Sequence, residues 1–369
     1  MINVSKKEDR QKVELIINGE SVSWLWIIDL NMRIGSAVLR IGGIGGVKTK
    51  PEHRLKGYAA KVLDKSIQVM QEEGYDLSIL FGIPNFYHRF GYIPVLPEYT
   101  LQILTRSAEK AASVYSLRPF EMKDMEPVLD IYHQGNSFKT GSIIRSKESW
   151  KGFPKGSGYD IKAKAVVVES EGKVIGYAAY DDSQEKVNIT EVAGLNKDVY
   201  STLLNKFAAL AIERRVENIK VYLPPDHPFA YFCRSYGYRF ETSFPYNRGG
   251  MGRIINLEST FFKLEKELIK RIVNLNINKP ELINVVTDIG SVTFEITANK
   301  ISIIPQQNLA NCDCTLKINQ NNLMPLLMGY ESVRDVIYRS KGKCNEDNLA
   351  LLDILFPVGY PYMWLSDRF

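Results

Sequence analysis

The stretch Val47-Lys48-Thr49-Lys50-Pro51-Glu52-His53-Arg54-Leu55-Lys56-Gly57-Tyr58-Ala59-Ala60 has residue types and spacing suited to holding an anion. It joins a run of strand-forming residues to a helical pattern. At such a junction backbone N–H groups point outward and the helix dipole favours negative charge. Gly57 lets the backbone approach a phosphate closely, Ala59 leaves the first helical turn unobstructed, and Arg54 and Lys56 add positive charge. The same residues also suit an ordinary turn glycine beside solvated basic side chains, and spacing alone does not separate the two. Gly42-Gly43-Ile44-Gly45-Gly46 has the look of a phosphate loop but precedes the junction, on the strand itself. A bulge that brings backbone close to a ligand is the better reading. Cys312 and Cys314 could begin a metal site, yet no second Cys/His pair stands at ligand spacing, so they read as strand residues and no metal is expected.

The elements that position the junction are legible from periodicity. Val22 to Met32 and Ser36 to Val47 read as strands with a turn at Ile34-Gly35, and Lys50-Pro51-Glu52-His53 breaks the run. Ala59, Val62, Leu63, Ser66, Ile67 and Met70 then recur at helical steps, with Gly74 placed to cap the helix. Tyr75 to Phe81 is the next strand, so the unit predicts a parallel pair joined by a helical crossover. A second copy follows. Tyr115 to Pro119 is a strand and Lys123-Asp124 leads into a helix. Ala165 to Val168 and Val174 to Tyr180 form a hairpin around Glu171-Gly172, Val187 to Val192 and Ile219 to Leu223 are strands, and Asp198 to Arg214 is a helix. Both copies close on an aromatic-Gly-aromatic signature, Phe90-Gly91-Tyr92 and Tyr236-Gly237-Tyr238.

From Ile255 the character changes. Leu257 to Val273 reads as an amphipathic helix, Val292 to Ile296 and Lys300 to Ile304 as a hairpin around Ala298-Asn299, and Thr315 to Ile318 as one more strand. Helices are expected at Asn322 to Met328, Ser332 to Ile337 and Glu346 to Leu355. The apolar, aromatic tail from Phe356 to Leu365 calls for burial. The reading is α/β: two related mixed-sheet units, 1–113 and 114–254, then a smaller α+β unit, 255–369.

Composition excludes several classes. With 47 basic and 42 acidic residues the net charge is only +5, and no basic cluster stands clear of acidic neighbours, so no nucleic-acid partner is expected. The densest basic stretch, Arg334 to Lys343, reads as a solvated face. Trp24 to Leu30 is interrupted by Asp29 and far shorter than the roughly 20 residues of a membrane span. No apolar leader follows Met1, and four cysteines (Cys233, Cys312, Cys314, Cys344) make no disulfide framework, so a cytoplasmic location is expected.

Arg54-x-x-Gly57-x-Ala59 after a strand, with Phe86-Tyr87 and Phe90-Gly91-Tyr92 after the next, resembles the GNAT N-acetyltransferase superfamily. Two tandem GNAT units, only the first with an intact loop, followed by a sterol-carrier-like domain, is similar to the enhanced intracellular survival (Eis) acetyltransferase family. The resemblance implies acetyl-CoA as co-substrate and direct acetyl transfer, in a ternary complex, to a primary amine on a small molecule or peptide. It implies that Val47, Lys48 and Thr49 meet the pantetheine arm. Arg54, Leu55, Lys56, Gly57, Tyr58, Ala59 and Ala60 would cradle the pyrophosphate, and Gly82 and Ile83 would flank the cofactor where the parallel strands splay. Tyr87 corresponds to the general acid that protonates the departing thiolate, with Tyr92 next in line. The general base would be the free α-carboxylate of Phe369, delivered by the carrier-like domain. A homo-oligomer, trimer or hexamer, is implied too. The competing class is a non-enzymatic binding protein whose carrier-like domain holds a lipid while the GNAT units are structural.

Three features depart from that pattern. The second unit reads Ala193-Gly194-Leu195-Asn196-Lys197-Asp198 at the equivalent turn, where Asp198 would compete with phosphate, so this unit is expected to bind no CoA. Only about 20 residues precede Val22, so the helical pair that roofs the acceptor pocket is short or missing. Arg368 puts positive charge beside the expected base, which disfavours a polycationic acceptor such as an aminoglycoside.

Overall fold

The computed structural model describes residues 1–273, 275, 281–297, 300–305, 312–340 and 346–369. Cys344 and the expected turn at Ala298-Asn299 lie outside these residues. The chain opens as an antiparallel meander of four strands, β1 (Ile2–Lys7), β2 (Arg10–Ile17), β3 (Glu20–Ile34) and β4 (Ala37–Thr49). Asn18 (φ 50°) and Gly19 (φ 80°) give the β2–β3 connection two consecutive left-handed residues, which match a primed hairpin turn. Residues 2–17 are thus strands, and no helical pair roofs the first unit. Helix α1 (Tyr58–Glu72) buries Val62, Leu63, Ser66, Ile67, Val69 and Met70 and returns the chain to β5 (Leu77–Gly82), parallel to β4. A 3-10 turn at Tyr87–Phe90 leads into β6 (Ile93–Leu96).

Only Pro97 separates β6 from β7 (Glu98–Leu104), too little chain for a hairpin. The strand therefore passes into a second sheet. There follow α2 (Thr105–Ala108), β8 (Ser116–Pro119), α3 (Met125–Asn136), β9 (Ala163–Ser170), β10 (Lys173–Asp181) and β11 (Val187–Gly194). Then come α4 (Lys197–Glu213), β12 (Asn218–Val221), α5 (Pro228–Cys233), β13 (Arg239–Ser243) and β14 (Gly249–Ile254). The first sheet has the order β1-β2-β3-β4-β5-β14-β6 and the second β13-β7-β12-β11-β10-β9-β8. The two sheets exchange strands: β7, before residue 113, belongs to the second, and β14 inserts between β5 and β6 of the first.

The last part holds α6 (Leu257–Ile272), β15 (Glu281–Thr287), β16 (Gly290–Thr297), β17 (Lys300–Pro305) and β18 (Cys314–Lys317). It ends with α7 (Gln320–Met328), α8 (Val333–Ser340) and α9 (Glu346–Leu355). Strand β15 was not among the expected elements, and it is central in the order β17-β16-β15-β18. Fully buried Phe261 on α6 and Phe294 on β16 share one core with Leu39, Ile41, Leu77 and Ile79 of the first sheet. The other face of that sheet is covered by α1. The mixed α/β layout, two large sheets and a smaller one, is the expected class.

Candidate active site

Strands β4 and β5 pair only from Ile41↔Leu77 to Ile44↔Leu80. Beyond that they part. β4 stays with β3 through Ser23↔Thr49, and β5 stays with β14 through Gly249↔Gly82, so a crevice opens between Gly45–Thr49 and Phe81–Ile83. The β3–β4 register slips between Trp24 and Trp26, opposite Gly46 at φ 59°, so the glycine run does carry a bulge. Val47 is half-buried against the α1 core, Lys48 is exposed, and Thr49 shares a 2.8 Å hydrogen bond with Ser23.

The crevice leads to the start of α1. Gly57 is its N-cap, at φ 74°, a left-handed conformation that costs other residues energy. No side chain caps this helix, and the N–H groups of Tyr58, Ala59 and Ala60 make no hydrogen bond among the described residues. Four orphan donors are normal at a helix start, and here no described residue accepts from these three. Arg54 and Lys56 are exposed and form no ion pair among the described residues, and nothing lies within 4 Å of a Cβ built on Gly57. This is an open, cationic, N–H-lined cradle of a polarity suited to an anion. Leu55 (106% exposed, φ 61°) and Ile83 (63% exposed) turn their side chains to solvent.

Tyr87 lies with its ring against Gly82, where an added Cβ would stand 2.6 Å from Cδ2. Burial, with Tyr159 nearby, raises its phenol above the ordinary tyrosine value, and its hydroxyl makes no hydrogen bond among the described residues. Tyr92 is different: fully buried, bonded to Ser78 at 2.8 Å and pushed up to about 12 by desolvation, it is a packing residue.

The chain terminus enters the same crevice. A Cβ on Gly43 would stand 2.6 Å from the Phe369 ring, and one on Gly45 would stand 3.4 Å from the Phe369 carboxylate carbon. The ring also meets Phe81 edge-on at 6.0 Å. What approaches the glycine run is therefore the protein's own last residue. Tyr159, on the loop before β9, donates a 2.8 Å hydrogen bond to a terminal oxygen of Phe369. Arg368 forms paired bonds of 2.9 and 3.1 Å with Glu98 and stacks on Phe81 at 4.6 Å, so its charge is matched rather than left facing the crevice.

The tail is held chiefly by the second unit. Tyr362 donates to the Tyr222 carbonyl at 3.1 Å and Trp364 to Asn136 at 3.0 Å, both rings within that unit's core. Arg145, with 1% of its side chain exposed, binds Asp367 at 2.7 Å and Glu191 through two 2.7 Å bonds. Tyr177 donates to Glu191, Tyr132 to Asp367, and Ser366 to Glu191. Burial pushes the Asp367 carboxyl up, and Arg145 opposes it. The terminus belongs to the expected third unit, 255–369, and its buried ion pair and several of its hydrogen bonds are made with the second.

That unit has no open cradle. β11 and β12 run parallel from Val187↔Ile219 to Ile189↔Val221 and then part, and Glu191 lies just beyond, under the tail. Asn196 caps α4 by accepting from the N–H groups of Asp198 and Val199, both at 3.0 Å. Val199 packs onto Gly176 and Gly194 so closely that a Cβ on either would stand 2.2 or 2.4 Å from its methyl. Sequence reading, which expected Asp198 to compete with phosphate at this turn, did not foresee the Asn196 cap or the close packing of Val199. It missed Tyr159, Lys155, Glu98 and Phe81. The one available signal was an aromatic after Gly156-Ser157-Gly158.

Residues 5–95 and, separately, residues 141–254 match family models, each described as an acetyltransferase (GNAT) domain. No curated protein matches the chain. Among solved structures, a protein of Enterococcus faecalis V583 described as a "probable N-acyltransferase" superposes with a TM-score of 0.79 at 16% identity, over 98% of this chain and 90% of its own. A GCN5-related N-acetyltransferase of Anabaena variabilis gives 0.74 at 15% identity, over 98% and 90%. Eis1 of Mycobacterium abscessus gives 0.64 at 15%, over 97% and 90%, and at these identities the likeness is one of fold. With one GNAT match over the open β4–α1–β5 unit and another over the closed β11–α4–β12 unit, the chain is a GNAT-type acetyltransferase with two tandem GNAT domains.

Proposed function

We propose that the protein moves the acetyl group of acetyl-CoA to a primary amine by direct transfer in a ternary complex, as an Eis-like enzyme with one working GNAT unit. The observation that carries this reading is the Phe369 carboxylate, which Tyr159 holds at 2.8 Å beside Gly45, where β4 and β5 part. Arg54 to Ala60 bind the pyrophosphate, and Val47 to Thr49 with Gly82 and Ile83 line the pantetheine path. The amine nitrogen attacks the thioester carbonyl while the Phe369 carboxylate takes its proton. As the C–S bond breaks, Tyr87 gives its phenolic proton to the thiolate. Amide and free CoA leave, the carboxylic acid releases its proton to solvent, and the phenolate regains one. A carboxylate with a reference pKa near ~3.5 is a weak base in water and gains basicity where water is excluded. The third unit is read as sterol-carrier-like and the protein as a cytoplasmic homo-oligomer. Among the described residues no helix is long and apolar enough to cross a membrane.

The test is the terminus itself. Deleting Phe369 withdraws the carboxylate by one residue, about 3.3–3.6 Å in extended chain. A C-terminal tag removes the charge altogether. Both should cut kcat by roughly 10²-fold or more while CoA affinity, measured by calorimetry, stays the same. Phe369→Leu with a free terminus should keep much of the activity. Full turnover in a C-terminally tagged enzyme would rule the mechanism out.

A further inference from the structure

A cavity of about 230 Å³ opens beside Gly82 and is lined by Phe81, Glu98, Lys155, Tyr159 and Arg368 among others. Its charges are not balanced alike. Arg368 is committed to Glu98 through both carboxylate oxygens, and the Phe369 carboxylate accepts from Tyr159. Lys155 has no carboxylate partner among the described residues, and its ammonium lies 5.2 Å from the Tyr159 ring centroid. Desolvation lowers its pKa, the nearby Asp367 charge opposes that shift without forming an ion pair, and Arg368 adds to it. A single tyrosine thus has the Phe369 carboxylate at its hydroxyl and, over its ring, a cation with no ion-pair partner among the described residues. The cavity is also smaller than the ~300–1,000 Å³ typical of sites for drug-sized ligands.

We propose that the acceptor is a small primary amine that also carries a carboxylate, its amine directed to the Phe369 carboxylate and its own carboxylate to Lys155. This names the substrate class of the reaction proposed above and rests on that reading. Lys155 is then the specificity-determining residue: an anion there offsets the cost of its burial, whereas a second ammonium meets like charge. A polycationic aminoglycoside is disfavoured by Lys155 and by the cavity's size, not by Arg368.

The experiment compares kcat/KM for CoA release by the full-length enzyme with a free terminus. The acceptors are glycine, β-alanine and 4-aminobutanoate against ethylamine, propylamine and butylamine, with 2-aminoethylphosphonate and kanamycin as further arms. At least one amino acid should exceed its alkylamine by about tenfold or more, the scale of one charge-assisted contact. Lys155→Met should erase that ratio, and Lys155→Glu should shift preference towards 1,4-diaminobutane, which a merely structural lysine would not do. Alkylamines equal to the amino acids, a ratio that survives Lys155→Met, or kanamycin as the best acceptor would overturn the proposal. A preference for 2-aminoethylphosphonate over every amino acid would overturn the choice of carboxylate. Acetyl-CoA binding with no transfer to any amine is a separate result, which sinks the acetyl-transfer reading itself.

Discussion

Tyr87 has its ring on Gly82 and a hydroxyl that no described residue engages, which leaves its proton available to a ligand in the crevice. Burial raises its pKa, and the sign matters: the acid must be protonated to act, so the shift keeps it in the active form through neutral pH and beyond. The midpoint for loss of the proton should lie above the ordinary tyrosine value of ~10. At saturating amine, kcat should therefore show no fall between pH 7 and 9 that is due to this group. Tyr87→Phe should lower kcat by roughly 10²–10⁴-fold with CoA affinity nearly unchanged. A clear alkaline fall with an apparent pKa near 8, or wild-type turnover in the variant, would move the acid role elsewhere.

Helix α1 and helix α4 are the same element put to opposite uses. Each follows a strand, leads to a parallel strand, and has one apolar face in a core. The difference lies in the first turn. α1 begins on a left-handed glycine with its N–H groups uncovered, whereas α4 begins on Asn196, whose side chain takes two of them. Calorimetry should accordingly count one CoA per chain. Because nothing of the protein lies within 4 Å of a Gly57 Cβ, Gly57→Val strains the backbone but meets no neighbour. The strain is worth about 1–2 kcal/mol, so the variant should fold. Its CoA affinity should fall at least tenfold, because the added methyls occupy the anion's approach. Two sites per chain, or unimpaired CoA binding by this variant, would mean that the cradle has been assigned to the wrong element.

Across the whole molecule, the second GNAT domain acts as a clamp. The tail leaves α9, buries Tyr362, Met363 and Trp364, and passes its last polar residues over Glu191 before Phe369 reaches the first sheet. Burying such side chains stabilises by roughly 1.5–3 kcal/mol each before ordering entropy is counted, enough to hold a chain end that would otherwise fray. Asp367 is the last tie to the buried Arg145–Glu191 cluster, one residue before the Arg368–Glu98 pair. Asp367→Ala leaves Arg145 paired with Glu191, so the second unit should stay folded while the terminus loosens. A displacement of about an ångström can cost ~10²-fold in rate, so kcat should fall by tens-fold or more with CoA affinity unchanged. Unaltered kcat in this variant would show that the apolar anchors, with the Arg368–Glu98 pair and Tyr159, position Phe369 without Asp367.

Local physics explains what could be read without a structure. Period-3.6 and period-2 patterns, Gly57 before a helix and the aromatic-Gly-aromatic turns are properties of neighbouring residues, so the α1 and α4 units and the cradle were legible. Residues 2–17 and β15 were not, since polar side chains on exposed faces blur the alternation of an outer strand and β15 lies beside a stretch of weak pattern. Strand exchange could not be read either: β7 leaves the first sheet because Pro97 gives it no room to turn back, and only the neighbouring sheet decides where it lands. The crevice is a meeting of distant segments. Tyr159, Lys155 and Glu98 each come together with Phe369 across more than 200 residues of chain. Their contacts depend on how two sheets and a tail pack, and no short-range signal encodes that. The sequence by itself determined which helix start was left without a side-chain cap. Tertiary structure decided what faces it, because a chain terminus has no local reason to sit anywhere until burial and paired charge hold it in place.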